Sequence, residues 1–203
     1  MAKGKKKPIV YPVIFMLAVS AIFTFVLASL NAATVGLIEE QEALKNQRSL
    51  LYLFDQPVPE ERVDIQQAYE NLFTTKTIKD VTYYEAVVDG EVLGYAFPFQ
   101  GSGLWGSIWG YVAVDTEFNE IIGVDFLKDS ETPGLGGRIN EVGFKDQFRG
   151  INIDEQMETF IVYRPAEDGN ADVITGATLT SNAVQNMINA ELRLLFDEIK
   201  GEI

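Results

Sequence analysis

TYYEAVVDGEVLGYAFPF, Thr82 to Phe99, is two β-prone runs flanking Asp89-Gly90. An Asp-Gly pair between such runs is the strongest short hairpin signal, because both central positions of the tight turn need a positive φ that Asp and Gly tolerate. A second pair follows, GSIWGYVAV and EIIGVDFL around DTEFN, and the spacing predicts a further strand at METFIVYR after a short helix at FKDQF. After Thr178, Val184, Ile188, Leu192 and Leu195 recur at helical spacing and form one apolar face. These elements predict an α+β fold, an antiparallel or mixed sheet with flanking helices.

Upstream of the strands, residues 39–73 look helical. EEQEALKNQRSLLYLFDQ sets Leu44, Leu50, Leu51 and Leu53 among charges, Pro57 and Pro59 break the run, and EERVDIQQAYENLF resumes it. Further upstream still, no charged residue occurs from Pro8 to Ile38. IVYPVIFMLAVSAIFTFVLASL exceeds the roughly 20 apolar residues that a membrane-crossing helix needs. Small residues at Ala28, Ala32 and Ala33 imitate a signal-peptide cleavage site, but the apolar stretch is well beyond the roughly 7–15 residues of a signal core. Lys3, Lys5, Lys6 and Lys7 precede it and Glu39, Glu40 and Glu42 follow it, so the positive-inside bias predicts a cytoplasmic N-terminus. The expected organisation is a basic cytoplasmic tail over residues 1–8, a transmembrane helix over 9–35, a helical stalk over 36–80, and an extracytoplasmic domain over 81–203.

The composition excludes much chemistry. The chain of 203 residues has no Cys and no His. Disulfides, thiolate iron–sulfur ligation, thiol catalysis and a lipidated cysteine anchor are ruled out. So are the usual haem and zinc ligands and the usual general base near neutral pH. Any redox chemistry must be carried by an organic cofactor. Four of the 16 basic residues lie within residues 1–34; the other 12 share the rest of the chain with all 30 acidic ones, a balance of −18. So acidic a domain does not suit nucleic acid.

Three motifs remain. In DVITGATLTSN, Asp172 to Asn182, Gly176 and Ala177 leave room around the Thr178 hydroxyl. A helix N-terminus there offers free N–H groups suited to a phosphate, although a hydroxyl of Thr178 or Thr180 serving only as a helix cap explains the pattern too. In SETPGLGG, Ser130 to Gly137, Thr132 to Leu135 has the layout of a type II turn. Its glycines let a backbone approach something flat, with Glu131 and Thr132 able to hydrogen-bond polar ring edges. In FQGSGLWGSIWGY, Phe99 to Tyr111, Leu104 or Trp105 could wall an aromatic ligand, or the glycines and aromatics could simply mark a closely packed strand.

Taken together, PFQGSGLWG, ETPGLGG and DVITGATLTSN resemble the FMN-binding subunits of the RnfG and NqrC type, over nearly the whole chain. Residues 39–80 match least. The resemblance implies FMN taken from FAD by a flavin transferase and joined through its phosphate to Thr178, with Asp172, Thr175, Gly176 and Ala177 forming the recognised sequence. It implies a flavin between Glu131, Thr132, Gly134, Leu135 and Gly136 on one side and Leu104 and Trp105 on the other, with no metal and no catalytic residue. It also implies partners: the other integral membrane subunits of an ion-translocating complex, either the Rnf ferredoxin:NAD+ oxidoreductase or the Na+-pumping NADH:quinone oxidoreductase, with membrane lipid around the single span. One anchor cannot form an ion path, so the chain reads as the electron-carrying part of such a machine. A free-standing membrane-tethered FMN carrier, or a non-redox binding module, are the alternatives.

Overall fold

The computed structural model describes residues 10–203; the basic tail over residues 1–8 lies outside them. Contacts divide the chain into two units, the first ending at Ala43 and the second running from Leu44 to Ile203. The first unit is the greater part of helix α1 (Val10–Leu53), whose apolar residues are nearly all exposed in this part and which is the one described helix long and apolar enough to cross a membrane.

The second unit is built on a six-stranded sheet in the order β1 to β6, antiparallel at every pairing. Its strands are β1 (Phe73–Ile78), β2 (Val81–Val88), β3 (Glu91–Ser102), β4 (Ser107–Asp115), β5 (Glu120–Lys128) and β6 (Ile151–Asn152). Helix α2 (Arg62–Leu72) precedes the sheet, short α3 (Val142–Lys145) lies between β5 and β6, and α4 (Thr178–Leu194) closes the domain. The β2–β3 hairpin turns at Asp89 and Gly90, with φ of 53° and 85°. That is the geometry the Asp-Gly pair calls for.

Both faces of the sheet are covered, and side-chain size decides by what. On one face Tyr95, Phe97, Phe99, Val112 and Val114 pack with Val184, Ile188, Leu192 and Leu195 of the last helical stretch. On the other, Ala86, Ala96 and Ala113 lie in one cluster with Leu50, Leu51, Leu53 and Ile65. Alanine on neighbouring strands removes the bulk that would hold a helix off, so the end of α1 and α2 settle close to the sheet. Gly123 extends this on β5, since a Cβ there would stand 3.0 Å from the Leu53 carbonyl oxygen.

Arg149 fastens the end of α1. Its guanidinium donates to the carbonyls of Leu53 (2.9 Å), Ile122 (2.7 Å) and Tyr52 (2.8 Å) and pairs with Asp146 at 3.2 Å. The last carbonyls of any helix lack intrahelical donors, and a cation there also meets the negative end of the dipole. The Tyr52 hydroxyl donates to Asp146 Oδ1 at 2.6 Å, and Lys145 sits 4.0 Å over the Tyr52 ring while pairing with Asp125.

Two expectations need correction. Helix does not continue to residue 80: α2 ends at Leu72, and FTTKTI forms β1, paired along its length with β2. The signal lay in Lys79-Asp80, which turn the chain with φ of 47° and 69°, a two-residue hairpin made without glycine. METFIVYR is not a strand either, and only Tyr163 bridges, to Ala171. Amide side chains replace the ladder. Asn189 Oδ1 accepts from the N–H groups of Phe160 and Ile161, Asn170 Oδ1 accepts from Val162 N–H, and Asn189 Nδ2 and Gln185 Nε2 donate to the Ile161 carbonyl. The segment is thereby held against α4 instead of joining the sheet.

Replacing Arg149 by Met keeps much of the stem but strips three carbonyls of their donor. The expected cost is about 2–3 kcal/mol, since hydrogen bonds to charged groups contribute about 1.5–3 kcal/mol and losses within one network do not add. Chemical denaturation of the detergent-solubilised chain, followed by tyrosine and tryptophan fluorescence, measures it.

Candidate functional site

One carboxylate joins the three motifs. Glu131 is buried, at 6% exposure. Its Oε1 accepts hydrogen bonds from the backbone N–H groups of Leu104 (2.8 Å) and Trp105 (3.0 Å), and its Oε2 accepts from the Thr180 hydroxyl at 2.6 Å. The loop after β3, the turn after β5 and the first turn of α4 are therefore tied at a single point. A buried carboxylate is tolerated only when its lone pairs are met, and here three donors meet them.

The glycines around it are there for the same reason. A Cβ on Gly103 would lie 2.4 Å from Glu131 Oε1, and one on Gly136 would lie 2.6 Å from both Glu131 Oε2 and Thr180 Oγ1. Gly106 similarly makes way for Ser130, and Gly101 for Met187 of α4. What the backbone of Gly136 approaches closely is thus the chain's own Glu131–Thr180 pair. Gly134 does serve the turn: its φ is +75°, and Leu135 N–H donates to the Thr132 carbonyl at 3.1 Å. Thr132, Gly134 and Leu135 are exposed.

Leu135 reaches the third motif. Its Cδ2 would touch a Cβ on Gly176 at 3.4 Å, and Gly176 holds φ of +82°. This loop is braced internally. Ala177 N–H donates to the Ile174 carbonyl, while the Ser181 hydroxyl accepts from Ile174 N–H and donates to the Ala177 carbonyl. Asp172 is fixed by its backbone, through a two-way pairing with the Gln147 side-chain amide, and its carboxylate pairs with Arg164 at 2.7 Å in solvent.

The four hydroxyls of the motif are sorted by this bracing. Thr180 and Ser181 are buried and hydrogen-bonded, whereas Thr175 and Thr178 are exposed. Helix α4 starts at Thr178, the N-cap position is Ala177, and no side chain caps the helix. The cap explanation of Thr178 and Thr180 therefore fails. Thr180 spends its hydroxyl on Glu131, and that of Thr178 has no bond within the described residues. The first-turn N–H groups remain open, at the positive end of a helix of 17 residues.

Apolar surface collects around this point. Leu104 is 50% exposed, Trp105 71%, Leu135 47% and Leu179 64%, each on a segment tied through Glu131 or Gly176. Large apolar groups left in water on converging loops mark a binding surface. Leu179 and the role of Thr180 were not picked out from the sequence. The only sign was the second hydroxyl in TLTS, which reads as a cap until Glu131 is seen beside it.

Substituting Glu131 by Ala leaves three donors without an acceptor. Given about 1–3 kcal/mol for each buried unmet group, less for overlap, the expected destabilisation is about 3 kcal/mol. Gly136→Ala should cost about 1–3 kcal/mol through overpacking at the same carboxylate. Denaturation midpoints check both, and the two losses combined in one chain should be less than additive.

Residues 103–193 match the family model of the FMN-binding domain. The C subunit of the Na(+)-translocating NADH-quinone reductase of Vibrio alginolyticus is 32% identical over 162 residues, which are 77% of this chain and 57% of that protein. That of Yersinia pestis is 39% identical over 106 residues, 49% of this chain and 40% of that protein. The chain thus spans about half the length of these relatives. The crystal structure of the C subunit from Parabacteroides distasonis superposes with a TM-score of 0.66 at 26% identity, covering 79% of this chain and 94% of that one. NqrC of Shewanella oneidensis, at 21% identity and a TM-score of 0.62 over 75% of this chain and 90% of its own, shares the fold. Residues 103–193 thus resemble FMN-binding domains, in a chain similar to proteins named as the C subunit of the Na(+)-translocating NADH-quinone reductase.

Proposed function

We propose that this chain is the FMN-carrying electron-transfer subunit of a membrane-bound, Na+-translocating NADH:quinone reductase, with the flavin esterified through its phosphate to Thr178. The observation that carries the attachment is the sorting of hydroxyls: Thr178 Oγ1 is exposed and free at the start of α4, while the neighbouring Thr180 and Ser181 are buried and engaged. The names of the relatives support the quinone-reductase assembly over the Rnf type.

The residues present suit the group. Thr178 Oγ1 would replace AMP on the inner phosphorus of FAD, forming the Thr–O–P bond as the bond to AMP breaks and the hydroxyl proton leaves to the transferase. The phosphodiester keeps one negative charge, which the open N–H groups and the dipole of α4 stabilise by roughly 0.3–1 kcal/mol, up to about 2 kcal/mol where partly buried. Leu104, Trp105, Leu135 and Leu179 offer apolar surface to the ring. Glu131, on the same turn as Leu135, ties that turn to the other two segments and is itself covered. When bound, FMN supplies one- and two-electron chemistry that no side chain here can supply. The exposed apolar length of α1 would hold the domain at a membrane, with the basic tail on the cytoplasmic side and the domain on the other, and the remaining integral membrane subunits as partners.

Intact mass and in-gel fluorescence of the chain made with a flavin transferase test this. Wild type should carry one FMN through denaturation, Thr178→Ser should keep it, and Thr178→Ala should lose it with an unchanged fold. Thr175→Ala should lower the modified fraction. A bare wild-type chain, or an FMN ester elsewhere, would overturn the attachment.

A further inference from the structure

Helix α4 turns one face to the sheet and another to a groove that nothing among the described residues fills. The groove, of about 590 Å3, runs from Leu179 to Leu194 along α4 and is walled by Gln100 and Ser102 of β3. Ala183, Met187 and Ala190 line it together with Asn182 and Asn186. Leu179 and Leu194 are 64% and 41% exposed at its two ends. Among these lining groups Glu191 is the one that ionises.

Glu191 is half-buried, and burial pushes its carboxyl up to about 7. No cation of the described residues answers it. Arg193, two positions on, is turned away to the carbonyls of Glu155 and Met157 and the Phe160 ring. Removing a carboxylate from water without a partner is unfavourable, and a cation brought alongside would reverse that. A trough lined half by apolar and half by polar side chains, with one uncompensated acid in its wall, is complementary to an amphipathic segment bearing one base.

We infer that this groove is a docking site for a partner protein, which lays an amphipathic segment between Leu179 and Leu194 and sets a Lys or Arg against Glu191. Amide groups of Gln100, Asn182 and Asn186 are placed to meet the polar atoms of such a segment. Because Leu179 adjoins Thr178, the partner would bind immediately beside the attachment residue, where an electron donor or acceptor must come. The inference does not require the flavin, and its test separates the two.

The pH dependence follows from geometry and sign. The free carboxyl takes up a proton as pH falls through about 7, whereas the docked one must be charged. Association should therefore weaken about tenfold per pH unit below that value. In the free chain the sign is opposite: the folded state holds its proton more tightly than the unfolded one, so the acid destabilises the fold above that range and not below pH 4.5. Glu191→Gln should raise the thermal midpoint at pH 8 and leave it unchanged at pH 4.

The test is a photo-crosslinking residue at Ala190 of the full-length chain in its native membranes, with the adduct peptide sequenced. The expected adduct is a peptide of a different protein with a Lys or Arg near the crosslink. Its yield should fall about tenfold in Glu191→Gln, and likewise in Leu194→Lys, which places a cation of the chain's own one turn from Glu191 on an exposed position. Flavin content should be unchanged in both, showing that they fold. Wild type without flavin but with this adduct would sink the proposed function and leave the docking site standing. A second copy of this chain, lipid alone, no adduct, or a yield indifferent to Glu191→Gln and Leu194→Lys would each overturn the docking site.

Discussion

The hydrogen bonds to Glu131 are the constraint on which the site depends. Three segments far apart in sequence come to one carboxylate: a loop leaving β3, a turn leaving β5 and the first turn of α4. None of them could hold its place alone. The loop is closed only by Gly103 N–H to the Gly106 carbonyl, and the turn by bonds to the Thr132 carbonyl. A charged acceptor in a dry setting gives strong bonds, but it also penalises any state in which a donor withdraws. The same group therefore both orders the three segments and makes their separation costly. This explains why glycine stands at 103 and 136, where any side chain would displace the oxygens.

The sheet supplies the rigid frame for that junction. β4 is buried on both faces over Gly110–Val114, and it lies between the two strands whose ends carry the Leu104 loop and the Glu131 turn. Gly101 lets Met187 of α4 press onto β3, which sets the axis of the helix whose first residue is Thr178. On the opposite face, the alanines and Gly123 admit the end of α1, and Arg149 ties its last carbonyls. Small residues determine how closely the helices lie to the sheet, and buried charges determine which segments cannot come loose.

How much of this was legible in the sequence follows from the range of each interaction. The β2–β3 hairpin was legible because its turn chemistry is local to Asp89-Gly90, and α4 because its apolar face repeats within the helix. β1 was not, since the Lys79-Asp80 turn has no glycine and the Thr-rich strand exposes four of its six residues. METFIVYR reads as a strand by composition, but the donors and acceptors that decide otherwise sit on Asn170, Gln185 and Asn189. The site divides the same way. That the three motifs belong together was readable by resemblance. That Glu131 is the internal link among them, and that Thr180 serves it instead of capping the helix, depends on pairs 26 to 49 residues apart.

The proposed attachment also has to be reconciled with a chain so poor in reactive side chains. With neither Cys nor His, the chain has no strong nucleophile and no nearby base to activate a weak one. A hydroxyl can then react only in a modifying enzyme's active site, which must reach it. Reach is a matter of burial: Thr180 and Ser181 lie under the loop and are occupied, and Thr175 stands outside the helix. Only Thr178 combines an exposed oxygen with the open amides of a helix start. The selectivity that the proposed ester requires among four neighbouring hydroxyls would thus need no special chemistry in this chain. It follows from the Glu131 bond that draws Thr180 inward and the Ser181 brace that fixes the loop, leaving position 178 as the one oxygen at which a phosphate would be both accessible and electrostatically favoured.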